Sequence, residues 1–212
     1  MKLRGTLLIA VIVSLTAGCS LPGPQQSPAK QTYLLQGNQE SHLAHAAISR
    51  SCVTLRISTP GSAPGFATAR MAYTKEPPRL DYFAYHEWVD TPARMIASMI
   101  EARLDFSGMF GAVVSGSSEV RADFRLDSDV IRLLQDFDAQ GSTVILKIKV
   151  NLIDVSKRSL LSSQVFSYAE TSMAANPEAG VVAANHAAEY FLGDLMEFLS
   201  ESMEPIDCSR VD

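Results

Sequence analysis

Apolar residues alternate with polar ones over much of this chain, and the alternation predicts a series of β-strands. The clearest strand is residues 143–154, where five apolar side chains share the face opposite Lys147, Lys149 and Asn151: Val144, Leu146, Ile148, Val150 and Leu152. Such strict alternation is typical of a strand with one buried face. Weaker versions of this pattern predict further strands at residues 31–36, 52–58, 69–74, 80–88, 110–115, 122–126 and 160–171.

Two segments instead show the three- and four-residue spacing of a helix with one apolar stripe. The first begins at Thr91 and Pro92, a capping residue followed by the proline that suits a first helical position, and ends before Gly108. The second begins with the similar signal Asn176-Pro177 and continues to about Ser202.

The order of these elements is strands, helix, strands, helix, which favours a layered α/β class: a mixed β-sheet packed by two principal helices. We expect one domain over residues 31–203 and a tail over residues 204–212. The alternation breaks near residues 128–130, which indicates either a β-bulge or the end of a strand.

The N-terminus has the pattern of a bacterial lipoprotein signal. Lys2 and Arg4 precede an uncharged apolar run, and small residues stand directly before Cys19. The run is shorter than the roughly 20 residues that cross a bilayer. Residues 15–19 (LTAGC) resemble a lipobox, although Thr16 replaces the usual leucine. This resemblance implies cleavage after residue 18 and acylation of Cys19.

The segment after Cys19 is rich in proline and polar residues, and it predicts a tether over residues 19–30. Ser20 lacks the aspartate that commonly retains such lipoproteins in the inner membrane. We therefore expect an outer-membrane protein that faces the periplasm, held there by its lipid without a membrane-spanning segment.

The charge of the chain argues against nucleic acid as a partner, because the formal net charge is −5 at pH 7. Two cysteines remain once Cys19 is lipidated, and the expected compartment permits disulfides. A bridge between Cys52 and Cys208 would join the two ends of the domain. The alternative is one buried thiol and one exposed thiol.

Motifs for nucleotide binding or serine hydrolysis are missing from the sequence. His42 and His45 are spaced for one helix face, but no further ligand joins them at a suitable spacing, so we predict no metal site. His86 and His186 lack an evident nucleophile beside them. We predict no catalytic residue and no cofactor other than the covalent lipid on Cys19.

The most distinctive segment is the aromatic strand, residues 82–88 (YFAYHEW). Alternation would place Tyr82, His86 and Trp88 on one face, with Phe83 and Tyr85 on the other. One interpretation is a strand that is covered on both faces. The other is a contact surface for a partner or a lipid, with Tyr82, Tyr85 and Trp88 as the contact residues.

These elements together resemble the ABC-type transport auxiliary lipoproteins, a family of PqiC-like outer-membrane lipoproteins. The resemblance rests on an ordered set of features and extends over about residues 31–203. The set consists of Tyr73, Pro78, Leu80, the Tyr82-Phe83 pair, Trp88 with Asp90 and Pro92 after it, a helix that ends at Ser107-Gly108, Phe110, the Lys147 strand and a closing alanine-rich helix. His86 and Glu87 depart from the family, which often has a basic residue there.

The resemblance implies a non-catalytic subunit of a lipid-transport system. Its partner would be an MCE-domain protein, and through that protein an ABC permease and ATPase. The lipoprotein would dock the periplasmic MCE assembly to the outer membrane, and self-association into a ring would suit that task.

Two other functions remain open from the residues alone. The domain could bind a lipid or another amphiphile in its own cavity and carry it. It could also be a periplasmic hydrolase, which would require a pocket where at least three polar side chains converge, such as His86 with nearby acids.

Overall fold

The computed structural model describes residues 28–37 and 52–203 of the chain. Within them, nine strands form one mixed sheet and two helices accompany it. The strands are β1 (Gln31–Tyr33), β2 (Thr54–Ile57), β3 (Gly61–Ser62), β4 (Arg70–Thr74), β5 (Asp81–Trp88), β6 (Ala112–Ser115), β7 (Phe124–Phe137), β8 (Ser142–Asp154) and β9 (Ser159–Thr171). The helices are α1 (Pro92–Ser107) and α2 (Pro177–Ser202). The predicted α/β class is confirmed.

The sheet is built around a long antiparallel meander of β7, β8 and β9. On the other side of β7 the sheet divides into two branches. Strand β2 pairs with the beginning of β7 and carries β6, whereas β4 pairs with the end of β7 and carries β5 and β1. Between the branches, the two-residue strand β3 is the single described strand that pairs with β7.

The core lies between the sheet and the two helices, which pack on the same face. The five alternating apolar residues of β8 are all at most 2% exposed, as the sequence predicts. They meet the apolar stripes of both helices, including Ile100, Leu104, Phe191 and Leu195. Both helices cover one face, and no helix of residues 28–37 and 52–203 covers the other face of the sheet.

Both helices begin and end near the predicted residues. Asn176 caps α2, since its side-chain Oδ1 accepts a hydrogen bond of 2.8 Å from the Ala179 amide. Thr91 is the N-cap of α1 through its backbone, with the Met95 amide donating to the Thr91 carbonyl. Gly108 ends α1 in a left-handed conformation, with φ 65°, which glycine adopts at little cost.

The main difference from the predicted elements is β7, which continues to Phe137 rather than ending after Leu126. A register shift between Val130 and Arg132 leaves Ile131 as an extra residue. Before the bulge, even-numbered residues such as Leu126 and Val130 face the core, and after it the odd-numbered Leu133 does. A strict alternation pattern therefore stops at the bulge while the strand itself continues.

Candidate functional site

A groove of about 1160 Å³ lies where the two branches of the sheet meet. Strands β2 and β6 run parallel to β7, whereas β1 and β5 run antiparallel to it. The C-terminal ends of all four strands therefore point towards the place where the branches meet. The chain that follows each of the four strands lines the groove. Helix α1, which starts directly after β5, forms most of the remaining wall, and Leu192 of α2 completes it.

The lining of the groove is largely apolar and is bordered by polar groups. Leu35, Ile57, Met95, Met99, Phe106 and Leu192 supply apolar side chains. On the rim, Asp90 Oδ2 accepts from Arg94 Nε at 3.2 Å, so these two charges offset each other. No histidine or cysteine is among the described residues that line the groove. The arrangement is suited to holding apolar surface.

Close backbone contacts fix the shape of the groove. A Cβ atom at Gly116 would lie 2.9 Å from the Thr59 backbone nitrogen, so only glycine permits the segments after β2 and β6 to approach this closely. The two helices are joined nearby by an ion pair between Arg103 and Glu189, in which both side chains are largely shielded from solvent. These contacts make the groove a built feature of the fold.

The aromatic strand does not follow the predicted alternation. Four residues of β5, 83–86, stand opposite the single residue Met71 of β4, between the pairs Arg70–Glu87 and Ala72–Tyr82. As a result, the rings of Phe83 and His86, predicted on opposite faces, are in contact with centroids 5.9 Å apart. The prediction that Phe83 and His86 lie on opposite faces was therefore wrong, because the extra residues interrupt the pleat.

The structure separates the three predicted contact residues. Trp88 is 5% exposed and belongs to the hydrophobic core, which agrees with the packing interpretation at this position. Tyr82 is half-buried: its hydroxyl donates to the Gly65 carbonyl at 2.9 Å, and the Arg70 guanidinium lies 3.8 Å above its ring. Tyr85 is 42% exposed and is the one that presents a large aromatic surface to solvent.

Two other exposed apolar side chains lie directly after the ends of β1 and β5. Leu34 is 50% exposed and Val89 is 57% exposed, and both lie on the rim of the groove. The Val89 amide donates to the Tyr33 carbonyl at 2.8 Å, which brings the ends of β1 and β5 together. We call these three residues, Leu34, Tyr85 and Val89, the β1–β5 edge patch. Sequence patterns did not single out Leu34 or Val89, because exposed apolar residues at strand ends look like the continuation of a buried strand.

Three polar side chains converge around His86, as an enzyme would require. The Tyr33 hydroxyl lies 3.1 Å from His86 Nδ1 and donates to Glu178 Oε1 at 3.3 Å. Burial raises the pKa of Tyr33, and the nearby Glu178 carboxylate raises it further. None of the three side chains lines the groove. Their contacts join β1 and β5 to the first turn of α2.

Several predicted residues lie outside the described part of the chain, namely Cys19, Cys208, His42 and His45. Cys52 is disulfide-bonded. Its pairing with Cys208 stays a prediction, because both other cysteines of the chain are outside the described residues. Within residues 28–37 and 52–203, no group of three acidic, histidine or cysteine side chains is placed to hold a metal ion. In that same part of the chain, neither helix is long and apolar enough to cross a bilayer.

Two solved structures share this fold. One is a Xanthomonas campestris protein assigned to the DUF330 family model, with 18% identity, coverage of 81% of this chain and 96% of that chain, and a TM-score of 0.68. The other is described as an uncharacterized protein, with 12% identity, coverage of 81% and 99%, and a TM-score of 0.63. At these identities the likeness shows the fold alone. A comparison with curated proteins finds no match.

The sheet, its one-sided helix layer and the groove thus define a single-domain α/β protein of the same fold as these two structures. The chain belongs to the family of ABC-type transport auxiliary lipoprotein components, whose model matches residues 33–193. This membership confirms the family resemblance that the sequence elements predict. The family describes a transport auxiliary component rather than the transporter itself.

Proposed function

We propose that this protein is the docking subunit of an intermembrane lipid-transport system. Acylated Cys19 anchors it in the outer membrane, where the domain faces the periplasm and binds an MCE-domain protein. Through that protein it serves an ABC permease and ATPase at the inner membrane. Its task is non-catalytic, and it uses no cofactor other than its covalent lipid.

The observation that carries this proposal is the family match over most of the chain. An auxiliary lipoprotein has to hold a membrane at one end and a protein at the other. The lipobox and the tether supply the first contact. For the second contact the domain offers exposed apolar surface, and large exposed apolar side chains that lie together commonly mark contact surfaces.

The β1–β5 edge patch is the surface we assign to the protein partner. Tyr85 and Val89 flank the C-terminal part of β5, and Leu34 follows β1 directly. The tether enters the fold at the same edge, where Lys30 forms a 2.7 Å ion pair with Glu87. A partner bound here would contact the lipoprotein close to its membrane attachment.

Co-purification tests both the partner and the surface. The mature lipoprotein, extracted in detergent, is expected to capture an MCE-domain protein, and Tyr85→Asp is expected to lose it. Val120→Asp is the control, because Val120 is 53% exposed and its carbonyl accepts a hydrogen bond from Arg56 of β2, in the other branch of the sheet. Capture that survives Tyr85→Asp would reject the patch, and failure of the unaltered protein to capture any MCE-domain protein would reject the docking role.

Membrane fractionation tests the anchor. The unaltered protein is expected in the outer membrane with an acylated Cys19, and Ser20→Asp is expected to shift it to the inner membrane. A freely soluble protein with an unmodified amino end would contradict the proposal.

The proposed Cys52–Cys208 pairing is tested by intact mass after alkylation, with and without prior reduction. If the two cysteines are bridged, two alkyl groups are added only when the protein has been reduced first.

The groove supports a second candidate function, binding of a lipid or another amphiphile by the domain itself. Its volume and apolar lining would accommodate an acyl chain. Ala102 lines the groove and is exposed, so Ala102→Trp would fill the space without disturbing the core. Lipid that co-purifies with the unaltered protein and with Ala139→Trp, an exposed loop control, but not with Ala102→Trp, would favour this function.

A further inference from the structure

The face of the sheet opposite the helices, which we call the open face, carries three neighbouring cations. Arg132 of β7 stands directly opposite Lys147 of β8, and Lys149 is the next residue of β8 on the same face. Like charges directly opposite each other on a sheet are destabilising. This arrangement destabilises the free domain, and an anionic partner bound here would relieve the repulsion.

No carboxylate within residues 28–37 and 52–203 forms an ion pair with any of these three cations. Asp129 stands opposite Lys149 in the register, but its carboxylate packs against Gly61, where any side chain would collide with it. Asp127 is the other acidic neighbour on β7, and it accepts hydrogen bonds from Arg125 and Ser58. The acidic neighbours on β7 that flank Lys149 are therefore directed elsewhere.

Exposed aliphatic side chains lie on the same face, along β9. Val165 is 47% exposed and stands opposite Lys149. Leu160 is 58% exposed and stands opposite Ile153, while Leu161, 40% exposed, is the extra residue at a register shift. Cations beside exposed aliphatic residues are the composition of protein surfaces that bind the interface of anionic membranes.

The proposed anchor allows this face to reach the membrane. The segment from Cys19 to Pro28, where the described part of the chain begins, spans at most about 30 Å. The tether joins the sheet at β1, and four strand spacings, about 19 Å in all, separate β1 from β8. A domain held by this tether can therefore lie with its open face flat on the bilayer.

We propose that the open face binds the anionic lipid surface of the membrane that holds Cys19, with Arg132, Lys147 and Lys149 on the headgroups and the aliphatic residues of β9 at the interface. The helix-covered side of the sheet then stays accessible to a protein partner. This inference rests on the proposed lipid anchor but not on the identity of the docking partner.

Fluorescence quenching tests the orientation. Mature lipoprotein with Val165→Cys is labelled with a fluorophore and reconstituted into phosphatidylcholine vesicles that contain a spin-labelled quencher lipid, with or without phosphatidylglycerol. Val182→Cys is the matched control, because Val182 is 48% exposed and lies on α2, on the other side of the sheet. Unaltered protein measures the labelling of native cysteines.

The expected result is quenching at position 165 well above that at position 182 when phosphatidylglycerol is present, and loss of the difference at high salt. Changing Arg132, Lys147 and Lys149 together to glutamine is expected to reduce quenching at position 165 to the control level. The melting temperature of that variant should equal or exceed that of the parent. Equal quenching at both positions would overturn the proposal. So would protection of position 165 only by an added acidic protein.

Discussion

The two faces of the sheet show how one strand can serve stability on one side and leave the other side free. On β8, Ile148 is fully buried under the helices, whereas its neighbours Lys147 and Lys149 lie on the open face. The covered face is continuous with the core and tolerates little change. The open face keeps charges opposite each other at some cost in stability, which indicates that its residues are not arranged for packing.

Strand β5 has a buried aromatic residue, Trp88, and an exposed one, Tyr85. The largest expected change in the free energy of unfolding lies here. Trp88→Ala is expected to lower the free energy of unfolding by about 3–5 kcal/mol, because it empties a buried site beside Met71 and Val144. Tyr85→Ala should change it by less than about 0.5 kcal/mol. Urea denaturation of both variants gives the comparison. Similar losses for the two would show that Tyr85 is part of the core.

A smaller effect is expected where α2 touches the covered face. A Cβ atom at Gly180 would lie 2.3 Å from the Oε1 atom of buried Gln135, so Gly180→Ala should cost about 1–3 kcal/mol. Gly193→Ala, in the same helix with no atom within 4 Å of the new Cβ, should instead stabilise by about 0.5–1 kcal/mol. Thermal melting distinguishes the two signs. Stabilisation by both substitutions would show that α2 does not approach Gln135 so closely.

We expect the turn between β8 and β9 to make the stability of the protein depend on pH in the acid range. The Asp154 carboxylate accepts hydrogen bonds from the Lys157 amide and the Ser156 hydroxyl, and these hold its pKa below the usual 3.8. A lowered pKa means that the stabilisation is present above pH ~3.8 and is lost as the pH falls through the lower value. Asp154→Asn should therefore reduce the melting temperature at neutral pH and flatten its decline in acid. An unchanged acid profile would contradict the assigned role.

The smallest expected effect is on the open face. Lys147→Gln removes the like charge opposite Arg132, and we expect a gain of about 0.2–1 kcal/mol in the free energy of unfolding at low salt. Added salt should diminish the gain, because it screens the repulsion. A loss of stability on this substitution would show that Lys147 makes a stabilising contact.

Local sequence patterns predicted the elements well where the strand or helix is regular. The β8 alternation, the Asn176 cap and both helices follow from spacing and capping chemistry, and each is present. The second half of β7 and the facing of the aromatic strand did not follow. Both depend on extra residues at register shifts, and a shift reflects how two distant strands align rather than any local preference.

The candidate site was predictable only in part. Exposed Tyr85 lies within the segment that the sequence singled out, whereas Leu34 and Val89 lie beside each other only because β1 pairs with β5. The groove has no motif, because four separate strand ends form it. The cation cluster joins Arg132 with Lys147 across a bulge, so its register could not be read from either strand alone.

Photo-crosslinking in intact cells tests the docking claim most directly. A photoreactive amino acid is placed at Tyr85 or, as the control, at Val120, and crosslinked products are identified by mass spectrometry. We expect an adduct with an MCE-domain protein from position 85 and none from position 120. Adducts of that protein from position 120 alone, or none from either position in cells that make the partner, would contradict the docking role.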